Sequence, residues 1–420
     1  MKFIRLLQIG DVHYPDAVRE TYGDFKDLGF PSGLANLTRT NPLQAVVRRL
    51  ADQRVDGFLV AGDLTSKGNV SEYDKCVQYL VDNLRLTSSD LNRLHAVPGN
   101  HDVERSRIDP TGMDLLSKFE ACEISWSSRN LPVLAAASPR ITDFTAAQNG
   151  RVRVLSINSS LGCGERYFPI PIKDQLEDLL KEYEARVGPV DAFDILGEAL
   201  DTPIISKDDL ELVCSNIRES DNSTIPLILA HHNILPQALP RVSVYSELLN
   251  GGNIRSRLCH LNRPVLYCHG HIHDRPVEII HEPRHPGSKV ICVSAPELTR
   301  GFNVLEFVFS SRNIPIGCKI MLYELDMRDG DVFAVEQYVQ LQPLDSYASV
   351  GSKRLLSLLR VVPAGESRFG DIMSSAKKGG VKITKSAAAE AIGEGEWLGC
   401  FRIVNRDQDP DYWYIKRLIQ

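Results

Sequence analysis

Five short motifs, in a fixed order, gather the side chains best suited to chemistry: Asp11-Val12-His13, Gly62-Asp63, Gly99-Asn100-His101-Asp102, His231-His232 and Gly270-His271-Ile272-His273. Asp, Asn and His in one set, without cysteine, suit divalent metals of intermediate hardness. Any one motif is weak evidence, because an Asp-x-His triplet arises by chance and a Gly-Asn pair usually marks a turn. Five in order, each in the same local context, are hard to explain as ordinary turn and cap residues. Together they read as a two-metal hydrolytic centre.

That context is a set of buried strands. Each motif follows a short apolar run: Ile4 to Ile9, Phe58 to Ala61, Leu94 to Val97, Ile225 to Ala230 and Val265 to Cys268. Such runs, bounded by turn residues, predict buried strands. Metal ligands at the carboxyl ends of buried strands sit where open α/β sheets place their sites. Gly62, Gly99 and Gly270 allow the sharp turns that bring separate strand ends to one centre.

The motif set resembles the calcineurin-like metallophosphoesterase superfamily, whose signature runs D-x-H, G-D, G-N-H-D/E, H and G-H-x-H. Every element is present, and the resemblance covers about Met1 to Leu341. It implies an α/β fold, a two-sheet αββα sandwich with helices outside. It also implies a dinuclear centre, with Asp11, His13, Asp63 and His273 on one ion and Asp63, Asn100, His231 and His271 on the other. Mn2+ is the first expectation for both ions, with Fe, Zn or Co as alternatives. A pair of ions about 4 Å apart polarises a phosphate and activates a bridging water. Only a carboxylate among these residues can bridge them, which singles out Asp63. His101, directly after Asn100, is offset towards substrate and is the candidate acid for the leaving oxygen. Asp102 is expected to hold its imidazole in one tautomer. His232 is expected near the rim, as a candidate substrate contact.

The expected reaction is hydrolysis of a phosphodiester in a nucleotide or similar small substrate. Gly99-Asn-His-Asp102 ends in Asp, and Gly62-Asp-Leu-Thr65 lacks the Asp-Arg-Gly extension of Ser/Thr protein phosphatases. Both features, with the run Gly62 to Gly68 and Ser71-Glu-Tyr73, look like the class III cyclic-nucleotide phosphodiesterase branch. The alternative is a nuclease acting on DNA or RNA, similar to the Mre11/SbcD branch, with a C-terminal nucleic-acid-binding module.

Composition sets the frame. At 420 residues the chain suits one large domain and a smaller one. A net charge of −6 argues against bulk attraction to nucleic acid or anionic membrane. No apolar stretch approaches a membrane span, and the opening Met1-to-Asp11 run reads as a strand rather than a signal peptide. Nine dispersed cysteines suggest reduced thiols and a cytoplasmic protein. Three other motifs are set aside. His281-Glu-Pro-Arg-His285 matches H-E-x-x-H, but Pro283 breaks the helix that motif needs. Cys259-His260 with Cys268-His269 suits core packing better than zinc. Gly393-Glu-Gly395 is flanked by acids that repel phosphate. His95 is expected to be a satisfied strand histidine.

Along the chain, helical spacing after Asn41-Pro42 (Leu43, Val46, Val47, Leu50) and from Val70 to Leu84 alternates with the strands, implying crossover helices and parallel pairing. After Arg275 the strands Val290–Ser294, Phe302–Phe309, Cys318–Leu325 and Val332–Leu341 come in succession. They predict antiparallel pairing and a second sheet. Tyr14 to Thr40, Cys122 to Gly150 and Cys163 to Pro203 look like insertions over the catalytic face, the last with an amphipathic helix around Ile172, Leu176, Leu179, Leu180 and Tyr183. The expected domains are 1–341 for catalysis, a linker at 342–352, and a small α+β unit at 353–420. Helices at Phe369–Lys378 and Lys385–Ile392, followed by a hairpin, would make that unit winged-helix-like. From Lys353 onward there are 12 Lys+Arg against 8 Asp+Glu. So mild a reversal of charge favours packing on the core or assembly over nucleic-acid binding.

Overall fold

Alternating side chains on both faces of β1 (Lys2–Ile9) place this strand in the middle of the molecule. Ile4 and Leu6 enter one apolar cluster, while Leu7 and Ile9 enter another. The computed structural model describes residues 2–16, 41–66, 68, 70–109, 114–132, 134–146, 150–164, 178–179, 181–183, 185–186, 201–235, 248–273, 277–326, 332–343 and 346–419. The expected aromatic insertion after Tyr14 lies almost wholly outside these residues. So does most of the amphipathic helix expected after Cys163.

Helix α1 (Pro42–Arg49) starts as its sequence predicts: Asn41 accepts the amide protons of Leu43 and Gln44, and Pro42 opens the first turn. It leads into β2 (Gly57–Val60), α2 (Val70–Asn83) and β3 (Leu94–Ala96), with β1, β2 and β3 parallel. After α3 (Glu120–Ser127) come β4 (Arg140–Thr145), β5 (Arg151–Ser156), α4 (Lys207–Glu219), β6 (Thr224–Leu229), α5 (Gly251–Cys259), β7 (Pro264–His269), β8 (Val277–Ile280) and β9 (Lys289–Ser294). These strands form a second sheet in the order β4-β5-β6-β7-β9-β8. The chain then returns through β10 (Gly301–Phe309), β11 (Pro315–Leu325) and β12 (Val332–Gln340), giving a first sheet ordered β12-β11-β10-β1-β2-β3.

The two sheets pack face to face over Ile4, Leu6, Leu59, Leu227, Leu266 and Leu305. α1 and α2 cover one outer face through Leu43, Val46, Val77 and Leu80. α4 and α5 cover the other through Leu210, Val213, Ile254 and Leu258. This is the αββα sandwich. One expectation is corrected. The strands after Arg275 do not build a sheet of their own: β8 and β9 join the second sheet, β9 running parallel to β7, and β10 pairs with β1 from Lys2↔Phe309 to Gln8↔Asn303. A polar link crosses the sandwich near that end. Buried Gln8 donates to the carbonyls of His269 and Val293, and Asn303 donates to Gln8 and to the Ser294 carbonyl.

Beyond β12, α6 (Lys353–Leu359), β13 (Glu366–Arg368), α7 (Phe369–Lys378), α8 (Lys385–Trp397), β14 (Phe401–Val404) and β15 (Tyr414–Arg417) follow the winged-helix order, with a small sheet β13-β15-β14. α8 runs on past Ile392 because Gly395 lies where a Cβ would meet Phe401. It also docks on the sandwich. Glu394 accepts the amide protons of Ser311 and Ser352, and Trp397 packs so closely on Gly317 that a Cβ there would lie 2.1 Å from the indole. In helix-turn-helix readers the corresponding helix enters the major groove; here it is acidic and partly buried against its own catalytic sheet. We propose residues 353–420 as a docked domain joined through 342–352. Among the described residues, no helix is long and apolar enough to cross a membrane.

His95 departs from its expected role. It is 3% exposed on β3, its Nε2 has no hydrogen-bond partner, and its ring meets Phe144 edge-on at 5.5 Å. Burial, aided by the Arg140 charge, lowers its pKa from 6.5 to about 4. The fold therefore favours the neutral ring, and this contribution is complete above pH 6.5 and lost as pH falls through 4. Between pH 7 and 4, urea denaturation should show His95→Leu gaining on the wild type by on the order of 3 kcal/mol. Parallel pH curves for the two proteins would contradict this account.

Candidate metal centre

Each motif begins where a strand ends. Asp11 and His13 follow β1, Asp63 follows β2 and Asn100 to Asp102 follow β3, all in the first sheet; His231 and His232 follow β6, and His271 and His273 follow β7, in the second. The turns are tight. Asp11, His13, Asp63, His271 and His273 all adopt left-handed backbone, with φ from 33° to 68°. Asp and His enter this region more readily than bulky residues, and such strain collects at functional sites.

The side chains converge. Donor atoms form overlapping groups within 4.8 Å of one another: Asp11, His13 and His273; His13, Asp63 and His101; Asp11, Asp63 and His231; and His231, His232 and His271. Asp63 joins the two halves. Its Oδ1 accepts the His101 amide proton at 2.9 Å, while Oδ2 lies 3.2 Å from His231 Nε2 and 4.0 Å from His13 Nε2. Asp11 accepts the His271 amide proton and stands 3.7 Å from His273 Nε2. His13 and His273 bring their Nε2 atoms to 3.4 Å.

This donor set fits divalent metal. His231 Nδ1 donates to the Ala61 carbonyl at 2.7 Å, the outer hydrogen bond that a ligating histidine usually makes. Its Nε2 then faces two oxygens, Asn100 Oδ1 at 3.0 Å and Asp63 Oδ2 at 3.2 Å. Without an ion, a proton can serve there. Burial alone would lower the His231 pKa, but the charge and hydrogen bond of Asp63, with Asp11, raise it to about 9. Burial likewise opposes ionisation of Asp63, yet His231, His101 and His13 hold its carboxyl well below the usual range.

The motif glycines make room for these donors. A Cβ on Gly99 would lie 2.0 Å from Asp63 Oδ1, one on Gly270 2.8 Å from Asp11 Oδ2, and one on Gly62 2.4 Å from His231 Nδ1.

Two expected roles change. Asp102 does not orient the His101 ring. Its carboxylate accepts the amide protons of Leu64, Thr65 and Gly99, clamping the β2 and β3 loops together, while burial and the Asp63 charge raise its pKa to about 6. His101 Nδ1 lies instead 2.8 Å from the Ser66 carbonyl. His232 is not at the rim but is 1% exposed. Ser159 Oγ accepts the amide protons of both His231 and His232, so its own proton goes to His232 Nδ1 at 3.0 Å. That leaves His232 with its proton on Nε2, a donor rather than a ligand. Burial also keeps its pKa well below the usual histidine value.

Sequence reasoning missed Ser159. It lies in Asn158-Ser159-Ser160, a polar run just beyond β5, and so carries the same strand-end signal as the five motifs. Elsewhere, His281 to His285 lies in a turn rather than a helix, and all nine cysteines are buried and unpaired.

The model of the calcineurin-like phosphoesterase family matches residues 4–275, a span that holds all five motifs. The chain belongs to that family. As a calcineurin-like phosphoesterase it is a metal-dependent phosphoester hydrolase, and the family's centre holds two divalent ions. Similar solved structures include a dimetal phosphatase from Danio rerio, at 14% identity, 81% of this chain, 99% of that one and a TM-score of 0.46. A 5'-nucleotidase precursor from Thermus thermophilus follows at 12%, 87%, 63% and 0.40. A purple acid phosphatase from yellow lupin stands at 12%, 80%, 54% and 0.45. The chain thus spans less than two thirds of the last two. Comparison with curated protein sequences gives no match.

Gly99→Ala should abolish metal binding, because the added methyl collides with Asp63 and the φ of −102° offers no strain to relieve. Gly370→Ala, with nothing within 4 Å of the new Cβ, should bind metal normally. Metal analysis after gel filtration checks both, and a metal-replete Gly99→Ala protein would contradict the packing argument.

Proposed function

We propose that this phosphoesterase is a phosphodiesterase acting on a nucleotide or similar small diester. Asp11, His13, Asp63 and His273 would hold one divalent ion, and Asp63, Asn100, His231 and His271 the other, with Mn2+ preferred and Fe, Zn or Co able to substitute. The observation that carries this reading is the position of Asp63 Oδ2, within 3.2 Å of His231 Nε2 and 4.0 Å of His13 Nε2, one nitrogen from each half of the cluster. When bound, the two ions supply Lewis acidity at the phosphoryl group and an activated water.

The protein's own groups do the rest. His101 places Nδ1 2.8 Å from the Ser66 carbonyl, and its ring would exchange a proton with the departing oxygen. Asp102 acts one step back, fixing the loops that carry Asp63 and Asn100. His232, protonated on Nε2 and locked by Ser159, is a neutral donor within the pocket. The diester reading is supported by the motif set, in which Gly99-Asn100-His101-Asp102 ends in Asp and Gly62-Asp63 lacks the Asp-Arg-Gly extension of the Ser/Thr protein phosphatases. The docking of acidic α8 on the sandwich favours a small substrate over nucleic acid. Unpaired, buried thiols support a reducing, cytoplasmic setting.

With Mn2+, the protein should hydrolyse bis-p-nitrophenyl phosphate, and Asp63→Asn should lower kcat to background. Strong p-nitrophenyl phosphate hydrolysis with no diesterase activity would overturn the diester reading.

His101→Ala separates acid catalysis from charge stabilisation. Esters with alkoxide leaving groups should slow by about 10²- to 10⁴-fold more than nitrophenyl esters, which need no proton to depart. Equal losses, with metal content unchanged, would assign His101 to the phosphoryl oxygens instead.

A further inference from the structure

Buried ammonium groups are rare, and Lys118 carries one. It lies in the short 3-10 turn Ser117–Phe119 ahead of α3 and is 1% exposed. Lysine is almost never buried this far unless its charge is satisfied from within the protein. Here Nζ donates to the carbonyls of Leu161 at 2.7 Å and Cys163 at 2.9 Å. Both acceptors belong to one turn, residues 159–163, in which the Cys163 amide donates to the Ser160 carbonyl at 3.0 Å.

The two ends of that turn meet the two ring nitrogens of His232. Ser159 Oγ stands 3.0 Å from Nδ1, and Cys163 Sγ stands 4.0 Å from Nε2. The hydroxyl donates to Nδ1, so the ring's own proton sits on Nε2, facing a sulfur that accepts only weakly. Which nitrogen carries the proton is set by the bond the other one makes. The tautomer of His232 therefore depends on where the turn is held. Lys118 also reaches the other half of the site. Its carbonyl accepts the Glu104 amide proton at 2.9 Å, two residues beyond Asp102. It thus spans from the loop after β3, in the first sheet, to the turn after β5, in the second.

We propose that Lys118 is a positioning residue for His232. Its ammonium pins the 159–163 turn, so that Ser159 and Cys163 hold the ring as a neutral donor with its proton on Nε2. The inference rests on the donor role given to His232 under the proposed function.

The test is nitrogen NMR of the histidine rings in full-length, Zn2+-loaded protein, alongside kcat for bis-p-nitrophenyl phosphate with Mn2+. The His232 signals are those missing from His232→Gln. Wild type should show Nδ1 unprotonated and Nε2 protonated. Lys118→Met keeps the length of the side chain and removes the ammonium. Its His232 nitrogens should move to intermediate positions, as in a mixture of tautomers, and kcat should fall about 10- to 100-fold with metal content unchanged. Ser159→Ala should give the same two changes, and the double variant no further loss of kcat, because both act through one ring. Lys289→Met removes another lysine-to-carbonyl bond, to Gln340, and should leave both readouts unchanged. Unaltered His232 signals in Lys118→Met, losses that multiply in the double variant, or a Lys118→Met protein that no longer folds would each make Lys118 merely structural and overturn the proposal. A wild-type ring protonated on Nδ1 would instead overturn the donor role of His232. A wild type without diesterase activity would overturn the diester reading alone, on which the nitrogen signals do not depend.

Discussion

Asp11 and Asp63 are buried to 1% exposure or less where two sheets meet, and their charge has to be balanced from inside the protein. Burying carboxylates without partners is costly, so the surroundings must supply positive charge or donors. The structure supplies both from the opposite sheet: the His271 amide donates to Asp11, and the His231 ring faces Asp63. Neither sheet could hold its half of the site alone. The register between them is therefore a functional quantity, and the buried link of Gln8 and Asn303 to the β7 and β9 carbonyls fixes it near the site.

Several features that look separate follow from this constraint. Three motif glycines leave space where Asp11, Asp63 and His231 crowd against backbone. Left-handed turns at five candidate ligands aim their side chains inward from strand ends. Asp102, which takes no part in the cluster, holds the β2 and β3 loops at one spacing through three backbone amides. Ser159 extends the same logic outward, fixing which nitrogen of the His232 ring carries the proton.

The candidate ligands were legible in the sequence because they sit beside the strongest local signal available, an apolar run ending at a turn. The strands marked by an apolar run appear within a residue or two of their predicted bounds, except β11, which begins three residues early; β4, β5, β8 and β13 carried no such signal, and β4 lies in the stretch expected to be an insertion. Their pairing did not follow, because β10 joins β1 across almost 300 residues and no local pattern encodes that partner. Side-chain roles were legible only where one short motif contains both partners. Adjacency suggested that Asp102 holds His101, but the acceptor of the ring nitrogen is a carbonyl on another loop. His232 looked like a rim residue until Ser159, 73 residues away, was seen beneath it. In the C-terminal unit, the length of α8 depends on packing of Gly395 against Phe401 and Leu355, where helix propensity alone predicts an earlier end.

If Asp63 serves both ions, anomalous diffraction from crystals soaked in Mn2+ should show two peaks about 3.5–4 Å apart, one beside His13 and His273 and the other beside Asn100 and His231, with Asp63 Oδ2 between them. A single peak, or a second one that does not share Asp63, would contradict it.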